Sequence, residues 1–262
     1  MQHQYKNQGT SLGPIVIISR GVQMKTDRLF YSTAGAIFLL AMLVGFHPFI
    51  TSGSGFGGHK IDPVIFPLVA VHGFAIVCWY VLFLVQSLLI AVHNRRLHMK
   101  LGWSALAIGL TITCTGSLVA IRSVQVTPSS FHIFGMEYSR FLLVMLTEIA
   151  LFTLLVATGL LVRKQPKIHR AMMLLASLTL LSGATARMPF LYSIFGQTGW
   201  VGLFGPVFCL GAIFLFVRLA MTRTFDRWFA AGYALWVFAF ISAEKLSLTS
   251  AWSHLSSTIL KL

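Results

Sequence analysis

Long apolar runs separated by short polar, mostly basic segments set the pattern of this chain. A helix needs about 20 apolar residues to cross ~30 Å of hydrocarbon. Runs of that kind fall near 29–50, 64–92, 101–121, 141–162, 171–190, 200–220 and 228–244. The pattern predicts an all-α integral membrane protein, a bundle of seven transmembrane helices. The second run, 29 residues long, exceeds the bilayer thickness at ~1.5 Å per residue and must tilt or protrude. Turn formers sit between the runs: Ser52-Gly53-Ser54-Gly55 and Gly57-Gly58, then Thr127-Pro128-Ser129-Ser130, then Pro166. Three parts follow: a polar N-terminal segment over 1–28, a seven-helix membrane domain over 29–246, and a short C-terminal tail over 247–262.

Composition agrees with a lipid environment. With 56% hydrophobic and 10% charged residues and a mean hydropathy of +0.81, the chain lacks the polar surface of a soluble domain. Its formal charge of +14 would suit a nucleic-acid binder, but that reading requires Lys and Arg gathered on one soluble face. Here they punctuate apolar runs, so no nucleic acid is expected, and the partners are membrane lipids and subunits of a larger membrane complex. With the N-terminus inside, 14 of the 20 basic residues fall on the cytoplasmic face, in the sense of the positive-inside rule. The expected location is a bacterial inner membrane, with the tail outside. The first 28 residues have no signal-peptide core. Met24-Lys25-Thr26-Asp27 would serve as a start, making residues 1–23 an extension. Cys78, Cys114 and Cys209 lie inside apolar runs without metal-ligand spacing and read as packing residues.

One internal similarity stands out. His98 to Arg122 parallels His169 to Arg187: each opens with His at the inner boundary, passes a small pair (Thr115-Gly116 or Ser182-Gly183), and reaches an Arg near the outer boundary. A duplicated helical hairpin of parallel orientation would produce this. So would any two helices rising from basic loops.

Histidine carries most of the candidate chemistry. His98 and His169 begin the third and fifth spans at the same depth and can face each other across the bundle. Such a pair suits bis-imidazole ligation of haem b iron, with Lys100, Lys167 and Arg170 placed to meet propionates at the membrane surface. The competing reading has both histidines binding lipid head groups and ending their helices. Near the outer edge, His47 and His72 come to similar depths and form a candidate second site. They precede Pro48 and Gly73, so hydrogen bonds to backbone carbonyls at a kink or close contact explain them more simply. His59, His132 and His254 belong to outer segments, where exposure is the default.

Glu148 lies inside the fourth span, about 12 Å below Arg140 by helical rise. A carboxylate there needs a partner, and Arg187 on the next span is the natural one; the pair reads as either a static ion pair or a proton relay. Gln86, Trp79 and the Phe residues read as packing and interface residues. HExxH and Walker A motifs are missing from the sequence, and the GxSxG spelled by Gly9–Gly13 and the GxGxxG spelled by Gly53–Gly58 lie in polar segments without the strand–turn–helix setting those motifs need. A retinal protein is excluded because Lys245 stands at the end of the last span beside Glu244.

The stretch His72-Gly73, Trp79, Leu82-Phe83, Gln86 and His98 through Leu101-Gly102, with His169-Arg170-Ala171-Met172-Met173 and Arg187, resembles a family of bacterial multi-pass membrane proteins of unknown function. The likeness covers most of residues 29–190 and implies no activity. The order of histidines on successive helices is loosely similar to transmembrane cytochromes b, which implies haem and electron transfer. This chain departs from them in having no histidine in its fourth span, against their usual outer haem. A third analogy, to small multi-helix proteins that assist oxidase maturation, rests on shape. Two expectations therefore stand: a haem-binding or redox-associated membrane protein, or a non-enzymatic accessory subunit, assembly factor or lipid-interacting transporter-like protein.

Overall fold

In lipid the backbone finds no water to bond, so apolar segments close their hydrogen bonds within themselves as helices. The structure, a computed structural model, describes residues 14–55, 58–128 and 130–261, with side chains from Thr26 onward. Seven of its helical segments are long and apolar enough to cross a membrane: Thr26–Ser52, Phe66–Ala91, Arg95–Val126, Tyr138–Leu161, Pro166–Thr185, Gly199–Thr222 and Arg227–Ser247. The chain is an all-α multi-pass membrane bundle.

Helix α1 (Pro14–Ser52) reaches back through part of the segment expected to be polar and separate. Lys6 lies outside the described residues, as do the side chains of Arg20 and Lys25. Helix α2 (Phe66–Ala91) opens on Pro67, whose missing N–H is no loss in a first turn. It ends where His93 takes a left-handed φ of 65°. Asn94 then caps the short α3 (Arg95–Leu101) by accepting from the Leu97 amide, and a bend at Gly102-Trp103 leads into α4 (Ser104–Val126).

A two-residue hairpin follows, β1 (His132–Ile133) against β2 (Met136–Glu137). It turns through Phe134 and Gly135, both with positive φ as such turns require. Then come α5 (Tyr138–Leu161), α6 (Pro166–Thr179), the single turn α7 (Ser182–Thr185), a 3-10 turn at Pro189–Leu191, α8 (Tyr192–Phe195), α9 (Gly199–Thr222), α10 (Arg227–Ser247) and α11 (Ser250–Ile259). The expected fifth span thus ends at Thr185 rather than 190. The short C-terminal tail carries α11, amphipathic and anchored by Trp252 to the Ser139 carbonyl.

The fifth span is the hub, since α6 packs against α1, α2, α5, α9 and α10. Its most apolar window has a mean hydropathy of only 1.2, the lowest of the seven, yet 67% of it is buried, against 22–39% in the others. A helix surrounded by helices needs no lipid-facing surface, so it tolerates small and polar residues that a peripheral helix would not. Ser177, Thr179, Ser182 and Thr185 are all buried here. Each hydroxyl bonds a carbonyl a turn back or a neighbouring helix, and Trp79 of α2 donates to the Ser177 hydroxyl at 3.1 Å.

Candidate functional site

The basic end of the bundle gathers Arg28 of α1 with Arg95, Lys167 and Arg227 at the starts of α3, α6 and α10, and it holds the two inner histidines. His98 lies on α3 and His169 in the first turn of the hub helix α6. Their ring centroids stand 6.5 Å apart with planes at 88°. Each ring is anchored to the helix before its own: His98 Nδ1 sits 3.3 Å from the Gln86 carbonyl oxygen, and His169 Nδ1 sits 2.8 Å from that of Gly159. A carbonyl only accepts, so Nδ1 is the donor in both contacts, which leaves Nε2 as the nitrogen able to bear a lone pair. Both rings are half-buried.

The three cations expected around this pair part company. Lys100 and Lys167 are exposed at the same end. Arg170 is instead bound to Asp27 of α1, its Nη1 2.7 Å from Oδ2. Asp27 is the near end of a network that sequence reasoning missed: Arg218 of α9 lies 3.3 Å from the same carboxylate and 2.8 Å from Asp226, and it also donates to the Tyr31 hydroxyl. Asp226 in turn caps α10 by accepting from the Phe229 amide. The signal was present, because two of only six acids stand among the cations of the basic end.

At the opposite end the second pair of candidate histidines takes separate neighbours. His72 Nδ1 bonds the Thr115 hydroxyl at 3.0 Å, while His47 is exposed and shares a pocket with Arg187. Glu148 accepts from Ser182 at 2.5 Å, and Arg187 donates to the carbonyl of the adjacent Gly183 while lying 4.6 Å over the Phe46 ring. Glu148 and Arg187 therefore engage consecutive residues of α7. Burial pushes the Arg187 guanidinium below its usual value, and Tyr138, Glu148 and Tyr192 pull it back. Equivalent contacts recur in the two hairpins: Thr115 of α4 meets a polar group of α2, and Ser182 of α7 meets one of α5.

Among the described residues no group of three or more His, Cys, Asp or Glu is placed to hold a metal ion. No family model, curated protein or solved structure matches the chain.

Proposed function

We propose that the protein binds haem b between His98 and His169 at the basic end of the bundle and serves electron transfer in a bacterial inner membrane. The carrying observation is the 6.5 Å approach of the two rings, each with Nδ1 on a main-chain carbonyl. Ligating histidines commonly donate their second nitrogen to such an acceptor, which sets the tautomer and orientation. Two nitrogens about 2 Å from one iron, each about 1.1 Å from its ring centre, put the centroids about 6 Å apart. The observed 6.5 Å agrees. Haem supplies one-electron chemistry; the chain would supply the Nε2 atoms of two imidazoles, and Lys100 and Lys167 to face propionates.

The rival reading uses the same contacts without a metal. The two Nδ1 bonds then simply pin the starts of α3 and α6 to the preceding helices, as suits an accessory subunit, an assembly factor or a lipid-interacting transporter-like protein. Absorption spectroscopy separates the two. The protein purified from haem-replete cells should show a low-spin band that dithionite sharpens, and both His98→Ala and His169→Ala should abolish it. A colourless protein, or a band surviving in either variant, overturns the proposal.

The basic end is assigned to the cytoplasm, with the N-terminus, on the 14-to-6 distribution of basic residues. A cysteine replacing Gln165 in a cysteine-free background should resist an impermeant maleimide on intact cells. Labelling from outside would reverse the orientation.

A further inference from the structure

Trp103, which leads into α4 at the basic end, is 63% exposed. The Arg163 guanidinium carbon stands 5.2 Å from the centre of its ring, reaching over from the turn that follows the fourth span at Leu161. Arg163 itself is exposed, as are Arg95, Arg96, Lys100, Lys164 and Lys167 on α3 and on the connection from α5 into α6. The two acids of this end, Asp27 and Asp226, are taken up by Arg170 and Arg218. Among the described residues no carboxylate pairs with any of the six exposed cations. Leu106 and Leu110, on the Trp103 side of α4 by helical spacing, are exposed, and so is Leu161 at the end of α5. We propose that an anionic phospholipid of the bilayer seats here, its phosphate on Arg163 beside Trp103 and its acyl chains along these leucines.

Three features select that partner. A face of cations with no acid to answer them attracts a net negative ligand, and a zwitterionic lipid brings its own ammonium to cancel the gain. The Arg163 side chain meets no acceptor among the described residues, so its fork of N–H donors remains for a phosphate, whose geometry it matches. An exposed Trp followed by exposed leucines belongs at the level where head groups give way to hydrocarbon. A soluble acidic partner would use the cations and leave that apolar continuation bare. The site does not rest on the haem reading, because neither Trp103 nor Arg163 takes part in it, and the two can fail separately.

The test reconstitutes the purified protein in phosphatidylcholine vesicles that carry a minor fraction of brominated phosphatidylglycerol or, in a second set, the same fraction of brominated phosphatidylcholine. Bromine quenches tryptophan fluorescence on contact, and subtracting the Trp103→Phe variant isolates the Trp103 signal. Brominated phosphatidylglycerol should show a relative affinity about fivefold higher, the order set by one basic side chain at a membrane surface. Arg163→Gln should bring the two lipids level, whereas Arg163→Lys, which keeps the charge, should retain part of the preference. All three variants alter exposed side chains, so their thermal midpoints should match the parent's. Raising the salt concentration, which needs no variant, should reduce the preference by screening. Equal quenching by the two lipids in the parent overturns the proposal, as does a preference that survives Arg163→Gln or ignores salt. Loss of the preference on adding soluble glycerol phosphate also overturns it, because the site would then take phosphate without a lipid.

Discussion

Arg170, the residue after the candidate ligand His169, donates to Asp27 across 2.7 Å and so ties the hub helix α6 to α1. The bond explains why a cation beside a candidate haem ligand is not free to neutralise a propionate. It also joins Arg170 to a larger assembly, because Asp27 reaches Arg218, whose side chain is only 5% exposed, and Arg218 reaches Asp226. Helices α1, α6, α9 and α10 meet through these four charges.

Removing one member of such a network leaves a charge buried without its partner, which costs on the order of 3–5 kcal/mol. Asp27→Asn leaves Arg170 and Arg218 with less compensation than they have now. Its thermal midpoint should fall by several degrees, and adding Arg170→Gln should recover part of the loss. A midpoint equal to the parent's would show that water or lipid head groups replace Asp27 at no cost.

Glu148 and Arg187 present a different geometry from a simple contact pair, since each is held by one of two adjacent residues, Ser182 and Gly183. Glu148→Gln keeps an oxygen that accepts from Ser182 while removing the charge. It therefore isolates the electrostatic link, and it should destabilise the fold by about 3 kcal/mol, with partial rescue by Arg187→Gln. The double-mutant cycle decides the matter: strictly additive losses would mean that the two side chains do not interact.

The seven spans were legible in the sequence because lipid imposes a length and a polarity that any window of residues must display. The closeness of His98 and His169 was legible too, through their shared depth at the starts of the third and fifth spans. What the residues could not display was which span sits at the centre. The hub is the least apolar span, and a lone hydropathy scale reads that as weakness rather than as enclosure by other helices. For the network of Asp27, Arg170, Arg218 and Asp226 the sequence showed two acids among the cations of the basic end but not the pairing, because the proximity of positions 27, 170, 218 and 226 depends on the order in which helices pack. Gln86 read as a packing residue, whereas its main-chain carbonyl orients His98. Main-chain acceptors have no side-chain signature to betray them.

Close helix packing supplies the sharpest steric test. A Cβ placed on Gly45 of α1 would lie 2.3 Å from the Ala184 carbonyl oxygen and 2.8 Å from the Ala184 Cα. Those atoms are backbone of α7, so no side-chain rotation relieves the clash, and α1 and α7 must move apart. Overpacking of this kind costs typically about 1–3 kcal/mol, and the rigid neighbour puts Gly45→Ala at the upper end. Gly73 of α2 is a matched control, because a Cβ there would meet only the Phe49 ring at 3.9 Å, an ordinary contact. Gly73→Ala should leave the thermal midpoint nearly unchanged, and in a helix interior its better propensity should even raise it slightly. Equal midpoints for Gly45→Ala and Gly73→Ala would refute the close approach of α1 to α7.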